Sequence, residues 1–318
     1  MLRRLLPPAS LILLGLAAPA SAQVKLELKH PENSSATYKT TTKVQQTMTI
    51  NAMDIETKSQ EVVTYSVSVG RRRSDGALPV SRKIESVKAN LELPGGITLS
   101  FDSENPEATK DPQVPQLAML PKLFQAIAGS SYTILIDKSG KVTGVEGTEE
   151  ALKKVEGEDP QVIEAIKQRF DPELLKQSFE QEHRLFPDQL LREGDTWERT
   201  EVTPLGGGQS LTFKRKYEYK STVQEDGKTL DKITGQIQSV TYDSDPKANN
   251  PVKVDKSDLK TASSETIILF DREAGRIVHR TGSVRITGEL TLNLNGQELP
   301  AQLDLTLDSK IELQKASK

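Results

Sequence analysis

Residues 130–147 read SSYTILIDKSGKVTGVEG, and a related run, SSETIILFDREAGRIV, returns at residues 263–278. Each run begins Ser-Ser-x-Thr-Ile, continues through aliphatic residues to an aspartate, and turns at a glycine. Each then resumes with a basic residue followed by a β-branched residue. An apolar run of strand length that leads into an Asp- and Gly-containing turn is typical of a β-hairpin. The two runs therefore predict two similar hairpins, around which the rest of the chain is organised.

Apolar and polar residues alternate with a period of two over much of the remaining chain. Alternation of this kind predicts antiparallel strands with one buried face and one face exposed to water. A parallel sheet would instead show continuous apolar strands between helices. The dipeptides Asp75-Gly76 and Asn295-Gly296 are hairpin-turn signals. The clearest alternating runs are residues 38–50, 63–69, 211–221, 284–294 and 303–313.

Two further segments have a less regular pattern. Residues 24–29 alternate Val, Leu and Leu with Lys, Glu and Lys, which predicts a first strand. Residues 243–264 are polar and rich in Pro, Asn and Lys, which predicts a long exposed loop.

Helical spacing of apolar residues occurs in two places, residues 116–128 and residues 148–184. In the second, Asp159-Pro160 and Asp171-Pro172 each combine an N-cap residue with a proline at the first helical position. We therefore expect one helix in the first segment and two or three short amphipathic helices in the second.

These patterns predict an α+β protein that is mainly β. We expect about twelve strands in a large, strongly curved antiparallel sheet, an open barrel or a sandwich, with a few helices packed on one face. The predicted organisation is an N-terminal β half (residues 23–147, with helix 116–128), a helical segment (148–185) and a C-terminal β half (186–318). The alternative is two separate β domains joined by the helical segment.

The first 22 residues have the composition of a signal peptide. Arg3 and Arg4 precede a short apolar run at residues 11–18, and Ala20-Ser21-Ala22 supplies the small residues of a cleavage site before Gln23. The apolar run is too short for a stable membrane anchor, although an uncleaved anchor is the alternative. We expect an exported protein, soluble after cleavage and without a transmembrane segment in the mature chain, in the periplasm or outside the cell.

Composition excludes some classes of protein. The sequence contains no cysteine, so disulfides are excluded. The formal net charge is −3, and loss of Arg3 and Arg4 with the signal peptide would take it to −5. A mildly acidic balance argues against nucleic acid as a partner.

Candidate chemical groups are few and dispersed. The histidines are His30, His183 and His279; they are far apart in sequence and lack metal-ligand spacing, so we expect them at surface or turn positions. Asp137 and Asp271 could form a carboxylate pair, but an aspartate at the start of a turn more often bonds its own backbone.

Other charged groups have ordinary interpretations as well. Asp243, Asp245, Asp255 and Asp258 could surround a calcium ion but lack the order of an EF-hand loop. The Arg71-Arg72-Arg73 run could bind an anion, but a solvated hairpin end is the simpler interpretation. Two S-x-x-K matches, at residues 244–247 and 257–260, lack the companion motifs of serine acylases. The sequence therefore assigns no catalytic, cofactor-binding or metal-binding residue.

Three short motifs carry a resemblance to a known family. They are the aliphatic-Asp-x-x-Gly-x-Val hairpin (residues 134–145), a Leu-Phe-Pro…Gly-Asp-x-Trp segment (185–197) and a Phe-Asp…Gly-x-Ile/Val hairpin (270–278). In this layout the chain resembles a family of exported bacterial proteins of unknown function, which implies no catalytic residues. It also resembles, more weakly, periplasmic lipoprotein carriers, which implies a half-barrel whose apolar lumen is covered by helices.

We therefore expect a non-enzymatic binding or envelope-associated protein without a cofactor. Its partner would be a lipid-like ligand, held in an apolar cavity under helices 116–128 and 148–184, or an envelope protein if that region is a solid core. The alternative function is a carboxylate-based hydrolase, which requires two carboxylates to converge in one cleft.

Overall fold

The computed structural model describes residues 23–109, 114, 117–206, 208–244, 252–294 and 296–314. The predicted signal peptide, Asp245 and Asn295 lie outside the described residues, as does most of the segment between residues 110 and 116.

Twelve strands and four α-helices make up most of the described chain. The helices are α1 (Met119–Ile127), α2 (Glu149–Lys153), α3 (Pro160–Arg169) and α4 (Pro172–His183), with two 3₁₀ turns at Pro94–Gly96 and Pro106–Ala108. The strands are β1 (Ser34–Ile50), β2 (Met53–Val69), β3 (Leu78–Leu93), β4 (Ile97–Asp102), β5 (Ser131–Ile136), β6 (Val142–Glu146), β7 (Thr196–Gly206), β8 (Gln209–Glu225), β9 (Lys228–Ser244), β10 (Val252–Asp271), β11 (Arg276–Leu294) and β12 (Gln297–Gln314).

All twelve strands belong to one antiparallel sheet in the order β6-β5-β3-β2-β1-β12-β11-β10-β9-β8-β7, with β4 beside β3. The two β halves join where β1 pairs with β12, from Thr37 opposite Gln314 to Ile50 opposite Ala301. The strands therefore form one sheet rather than two separate β domains, and the predicted fold class is confirmed.

The sheet curves around helix α4. At one side, Phe179 of α4 packs in a cluster with Val80 of β3 and Ile134 of β5. At the other side, Val202 N of edge strand β7 donates to the side-chain oxygen of Gln181, also on α4, at 2.7 Å. Because one helix contacts strands near both ends of the strand order, the face that carries it is concave. We call this the inner face.

Helices α1 to α3 cover another part of the inner face with a solid core. Val87 of β3 and Phe101 of β4 pack against Ile127 of α1 and Ile166 of α3, and all four side chains are buried. The predicted caps of α3 and α4 are confirmed, since Asp159 accepts from Gln161 N at 2.8 Å and Asp171 accepts from Glu173 N at 2.9 Å. Helices on one face of the sheet match the prediction.

Strand β9 diverges from β10 beyond a short paired stretch, Thr266–Phe270 opposite Asp231–Gly235. The distal parts of β8 and β9 then fold over the inner face, where Phe213 of β8 packs in one cluster with Val284 and Ile286 of β11. This half of the sheet is thus covered by its own strands instead of by helices.

The predicted first strand at residues 24–29 is wrong, because the described residues form no strand before β1. Val24 and Leu26 are buried and Lys25 and Glu27 are exposed, as the alternation requires. The backbone, however, forms only an isolated bridge between Val24 and Leu191. Alternation reports which side chains are buried, and an extended segment that packs on a core shows the same pattern as a strand.

The predicted loop at residues 243–264 is also wrong over the part that the structure describes. Strand β9 continues to Ser244 and β10 begins at Val252. Register shifts between Val254 and Lys256 and between Thr261 and Ser263 interrupt the ladder with β11. Each shift adds a residue to one strand and breaks the period of two, so the segment does not show a strand pattern.

No helix among the described residues is both long and apolar enough to cross a membrane.

Candidate functional site

A cavity of about 490 Å³ lies between the inner face and helix α4. Strands β1 to β3, β7, β11 and β12 contribute to it, together with the segment before β1 and the turn before β11. We call it the α4 cavity. Its apolar lining includes Val67, Val69, Val80, Phe179, Ile277 and Ile311. The predicted cavity is thus present under α4, whereas the described side chains under α1 to α3 pack in a buried cluster. Charged residues line the cavity as well.

Cross-strand register places an arginine on the apolar side of β3. Val69 lies opposite Val80 and Val67 lies opposite Arg82, so the Arg82 side chain takes a place that the alternation assigns to an apolar residue. Arg82 donates to Glu182 of α4 at 2.5 Å. Its guanidinium carbon also lies 6.0 Å from the ring centres of Tyr65 and Phe179.

This ion pair is charged at neutral pH. Burial opposes the charge of Arg82, but Glu182, together with Tyr132 and Tyr65, raises the pKa of Arg82. Burial likewise opposes the charge of Glu182, and Arg82 lowers the pKa of Glu182. The pair fixes α4 to β3 without leaving Glu182 available as a proton donor.

Two histidines that are distant in sequence meet beside this pair. The ring of His30 lies 5.5 Å from Phe179 and 5.7 Å from His183, centre to centre. Burial and then the charge of His183 lower the pKa of His30 to about 4, so His30 is neutral at pH 7. Neither His30 Nε2 nor His183 Nδ1 has a hydrogen-bond partner among the described residues. Instead of the expected surface positions, both side chains line the cavity.

A second group of charges lies on the opposite wall. Glu201 of β7 accepts from Tyr217 Oη at 2.5 Å, and Arg215 Nε and Arg280 Nη2 lie 3.5 and 3.8 Å from its Oε2. Arg280 lies opposite Ile311 of β12, in the same inner-face row. Two arginines therefore share one glutamate.

Arg276, the first residue of β11, also lines the cavity. Its Nε is buried without a hydrogen-bond partner, and Arg276 makes no salt bridge in the described part of the chain, although it interacts electrostatically with Asp271, which lies opposite it in register. Burial raises the pKa of Tyr38, and the positive charge of Arg276 acts in the opposite direction. Arg276 is therefore close enough to influence Tyr38, which stacks on Tyr65 at 5.5 Å.

The two matching hairpins border this site. Asp137 accepts from Ser139 N at 2.8 Å, and Asp271 accepts from Ala274 N at 3.0 Å, so both turn predictions are confirmed. Gly140 has a φ of +82°, and a Cβ there would lie 2.9 Å from His183 Nε2. In the other hairpin, Gly275 lines the cavity and a Cβ on it would lie 2.3 Å from Lys29 Cγ. The positive φ favours glycine at both positions, and the close approach of Lys29 favours it further at Gly275.

The remaining sequence candidates do not converge. No hydrogen bond joins Asp137 to Asp271 in the described chain, and each is bound within its own turn. Asp243, Asp255 and Asp258 are exposed, and no three potential metal ligands gather among the described residues. In the arginine run, Arg73 makes a bidentate ion pair with Glu146. Its Nη1 donates to Oε1 at 2.9 Å and its Nη2 donates to Oε2 at 2.7 Å.

The functional residues that sequence reasoning missed share one signal. Arg82 lies two residues from Val80 and Ile84 in β3. Arg280 lies four residues before Val284 in β11. These apolar residues pack in clusters on the inner face. A charged residue at a position where the alternation predicts a buried side chain lowers the stability of the fold unless an oppositely charged group pairs with it. That interruption of the pattern could have identified them, although not their partners on α4 and β7.

A family model matches residues 75–277 of this chain, a span that includes Arg82, Glu182 and Arg276. This chain belongs to the family of unknown function DUF6263. Membership in DUF6263 confirms the expectation that the chain belongs to a family of unknown function. That the three short motifs are a signature of this family stays a prediction. No curated protein matches the chain.

Among solved structures, the chain is similar to lipovitellin, at 8% identity and a TM-score of 0.45 over 91% of this chain. The chain spans only 26% of the lipovitellin chain. It is also similar to DynF from Micromonospora chersina (9% identity, TM-score 0.21, 95% and 91% of the two chains). A YmcC-like-fold protein from Bacteroides fragilis is similar as well (9% identity, TM-score 0.22, 91% and 99%). With every TM-score below 0.5, these likenesses transfer no ligand to this DUF6263 protein.

Proposed function

We propose that this DUF6263 protein is an exported, non-catalytic binding protein that holds a small amphipathic ligand in the α4 cavity. The observation that carries the proposal is the cavity itself. Its volume of about 490 Å³ falls in the ~300–1,000 Å³ range of small-molecule sites. Apolar walls with a few convergent polar groups are the usual composition of such sites.

The polar groups of the cavity support binding rather than hydrolysis. The two carboxylates that line it, Glu182 and Glu201, each face arginine. A carboxyl group acts as a general acid near neutral pH when its pKa is raised, whereas the pKa of Glu182 is lowered, because Arg82 acts against the effect of burial. The side chains therefore supply fixed charges and hydrogen-bond donors for recognition.

Native mass spectrometry of protein purified from an exporting bacterial host without detergent tests the proposal. We expect a stoichiometric adduct with the mass of a small amphiphile. The variant Val67→Trp should lose the adduct because indole fills the space next to Arg82. The control Ser68→Trp adds the same side chain at the neighbouring, exposed position of β2, and should keep the adduct.

An adduct-free wild-type protein that also fails to take up added decanol or decanoate would overturn the proposal. An adduct that survives Val67→Trp would place binding at another site.

A further inference from the structure

We infer that the ligand carries an anionic group, a carboxylate or a phosphate, and that Arg276 binds it. This inference rests on the proposed function and names the class of ligand that the cavity selects.

The balance of charge around the cavity is the first step. Arg82, Arg276 and Arg280 line it against Glu182 and Glu201, and Arg215 also lies against Glu201. Arginine remains protonated in proteins, so these four positive charges exceed the negative charges of Glu182, Glu201 and Asp271, the last of which interacts electrostatically with Arg276. Withdrawing charge from water is costly unless an opposite charge compensates it, and the inner face therefore favours an anion.

The three arginines that line the cavity differ in whether a salt bridge compensates their charge. Arg82 has Glu182 at 2.5 Å, and Arg280 has Glu201 at 3.8 Å. Arg276 makes no salt bridge among the described residues, although it lies opposite Asp271 in register and interacts with it electrostatically, and its Nε is buried without an acceptor. A guanidinium offers a planar fork of N–H donors that matches two oxygens of a carboxylate or phosphate. Arg276 is thus the arginine that is free to bind an anionic group.

The apolar part of the ligand would lie against the apolar wall of the cavity next to Arg276. Ile277 follows Arg276 in β11, and Ile311, Val67 and Val69 line the same cavity. An alkyl chain that starts at Arg276 can bury its apolar surface against these side chains. The tyrosines Tyr38 and Tyr65 add rings with polar tips to the same wall.

Isothermal titration calorimetry with four ligands of equal chain length tests the class of ligand: decanoate, decyl phosphate, decanol and decylamine. We expect decanoate or decyl phosphate to bind one per chain and at least tenfold more tightly than decanol, with decylamine weakest. The tighter of the two anions identifies the headgroup as carboxylate or phosphate. Equal binding of decanol and both anions would overturn the inference while the proposed function stands, and no binding of any ligand would overturn both.

Variants test the role of Arg276. Arg276→Gln should weaken anion binding about tenfold or more, as expected for loss of a charged hydrogen bond, and leave decanol affinity within about twofold. Arg276→Lys should recover part of the loss because it keeps the charge. Arg285→Gln is the matched control: Arg285 is on the same strand, is exposed and pairs with Asp304 at 2.6 Å. If Arg276→Gln and Arg285→Gln affect anion binding equally, Arg276 does not bind the headgroup.

Discussion

At the scale of single residues, Asp231 shows what buried charge contributes to this fold. Its side chain is 2% exposed, accepts from Tyr219 Oη at 2.9 Å and is bound by Arg272. Asp231→Ala leaves both partners unsatisfied, and we expect it to lower the free energy of unfolding by about 3 kcal/mol. Urea unfolding provides the measurement.

The control is Asp304→Ala, which breaks the exposed pair with Arg285 and should lower the free energy of unfolding by less than about 1 kcal/mol. Similar losses for the two variants would contradict this account.

His30 should make the stability of the protein depend on pH. Its folded pKa of about 4 lies below the ordinary value of 6.5, so the folded state favours the neutral ring. The unfolded chain binds the proton first as pH falls, and stability present above pH 6.5 is lost toward pH 4, by up to about 3 kcal/mol. His183, Glu182 and Arg82 face the ring, and Glu182 adds a further loss as it is protonated at lower pH.

Urea unfolding between pH 4.5 and pH 7.5 measures this dependence. His30→Phe keeps an aromatic ring in the stack and should flatten the curve over that range. His279→Gln, at a histidine on β11 outside the cavity lining, should leave it unchanged. A curve for His30→Phe that matches wild type would show that His30 is not the group responsible.

At the scale of elements, helix α4 connects the sheet to the cavity. Asp171 caps its first turn by accepting from Glu173 N and Leu174 N, both at 2.9 Å. Asp171→Ala should lower the free energy of unfolding by about 1 kcal/mol and also weaken ligand binding, because α4 forms one wall of the cavity. Asp159→Ala removes the equivalent cap of α3 and should cost similar stability without weakening binding, as measured by denaturation and by decanoate titration.

Equal effects of the two cap variants on decanoate binding would contradict the assignment of the site to α4. The caps themselves were predictable, because an Asp-Pro pair and the helix that follows are local in sequence. The contact between Gln181 and Val202 was not, since nothing in the sequence of α4 indicates which strand edge it meets.

At the scale of the whole molecule, the alternation of residues was enough to predict a single class of architecture. Strands with one buried face and one face exposed to water are typical of antiparallel sheets, and five long runs of this kind stand out in the sequence. The pairing of β1 with β12 depends on contacts between the two ends of the chain, which no local pattern reports. A cavity under the helices was predicted, but its charged lining was not, for the same reason: His30, Arg82, Glu182 and Arg276 come from four separate segments.

The curvature of the sheet then determines which surfaces are core and which are free. Helices α1 to α3 fill one part of the inner face, and the folded-over strands β8 and β9 fill another. The region under α4 keeps a cavity, and charged and aromatic side chains from several strands line it. The central claim is that a ligand binds in this region.

Methyl NMR of isoleucine-labelled protein during a decanoate titration tests that claim most directly. Ile277 and Ile311 line the α4 cavity, whereas Ile127 and Ile166 belong to the solid core under α1 and α3. We predict saturable shifts of the Ile277 and Ile311 methyl signals at one ligand per chain, with the Ile127 and Ile166 signals unchanged. Shifts confined to other isoleucines, or no saturable shift at all, would contradict the assignment of the α4 cavity as the binding site.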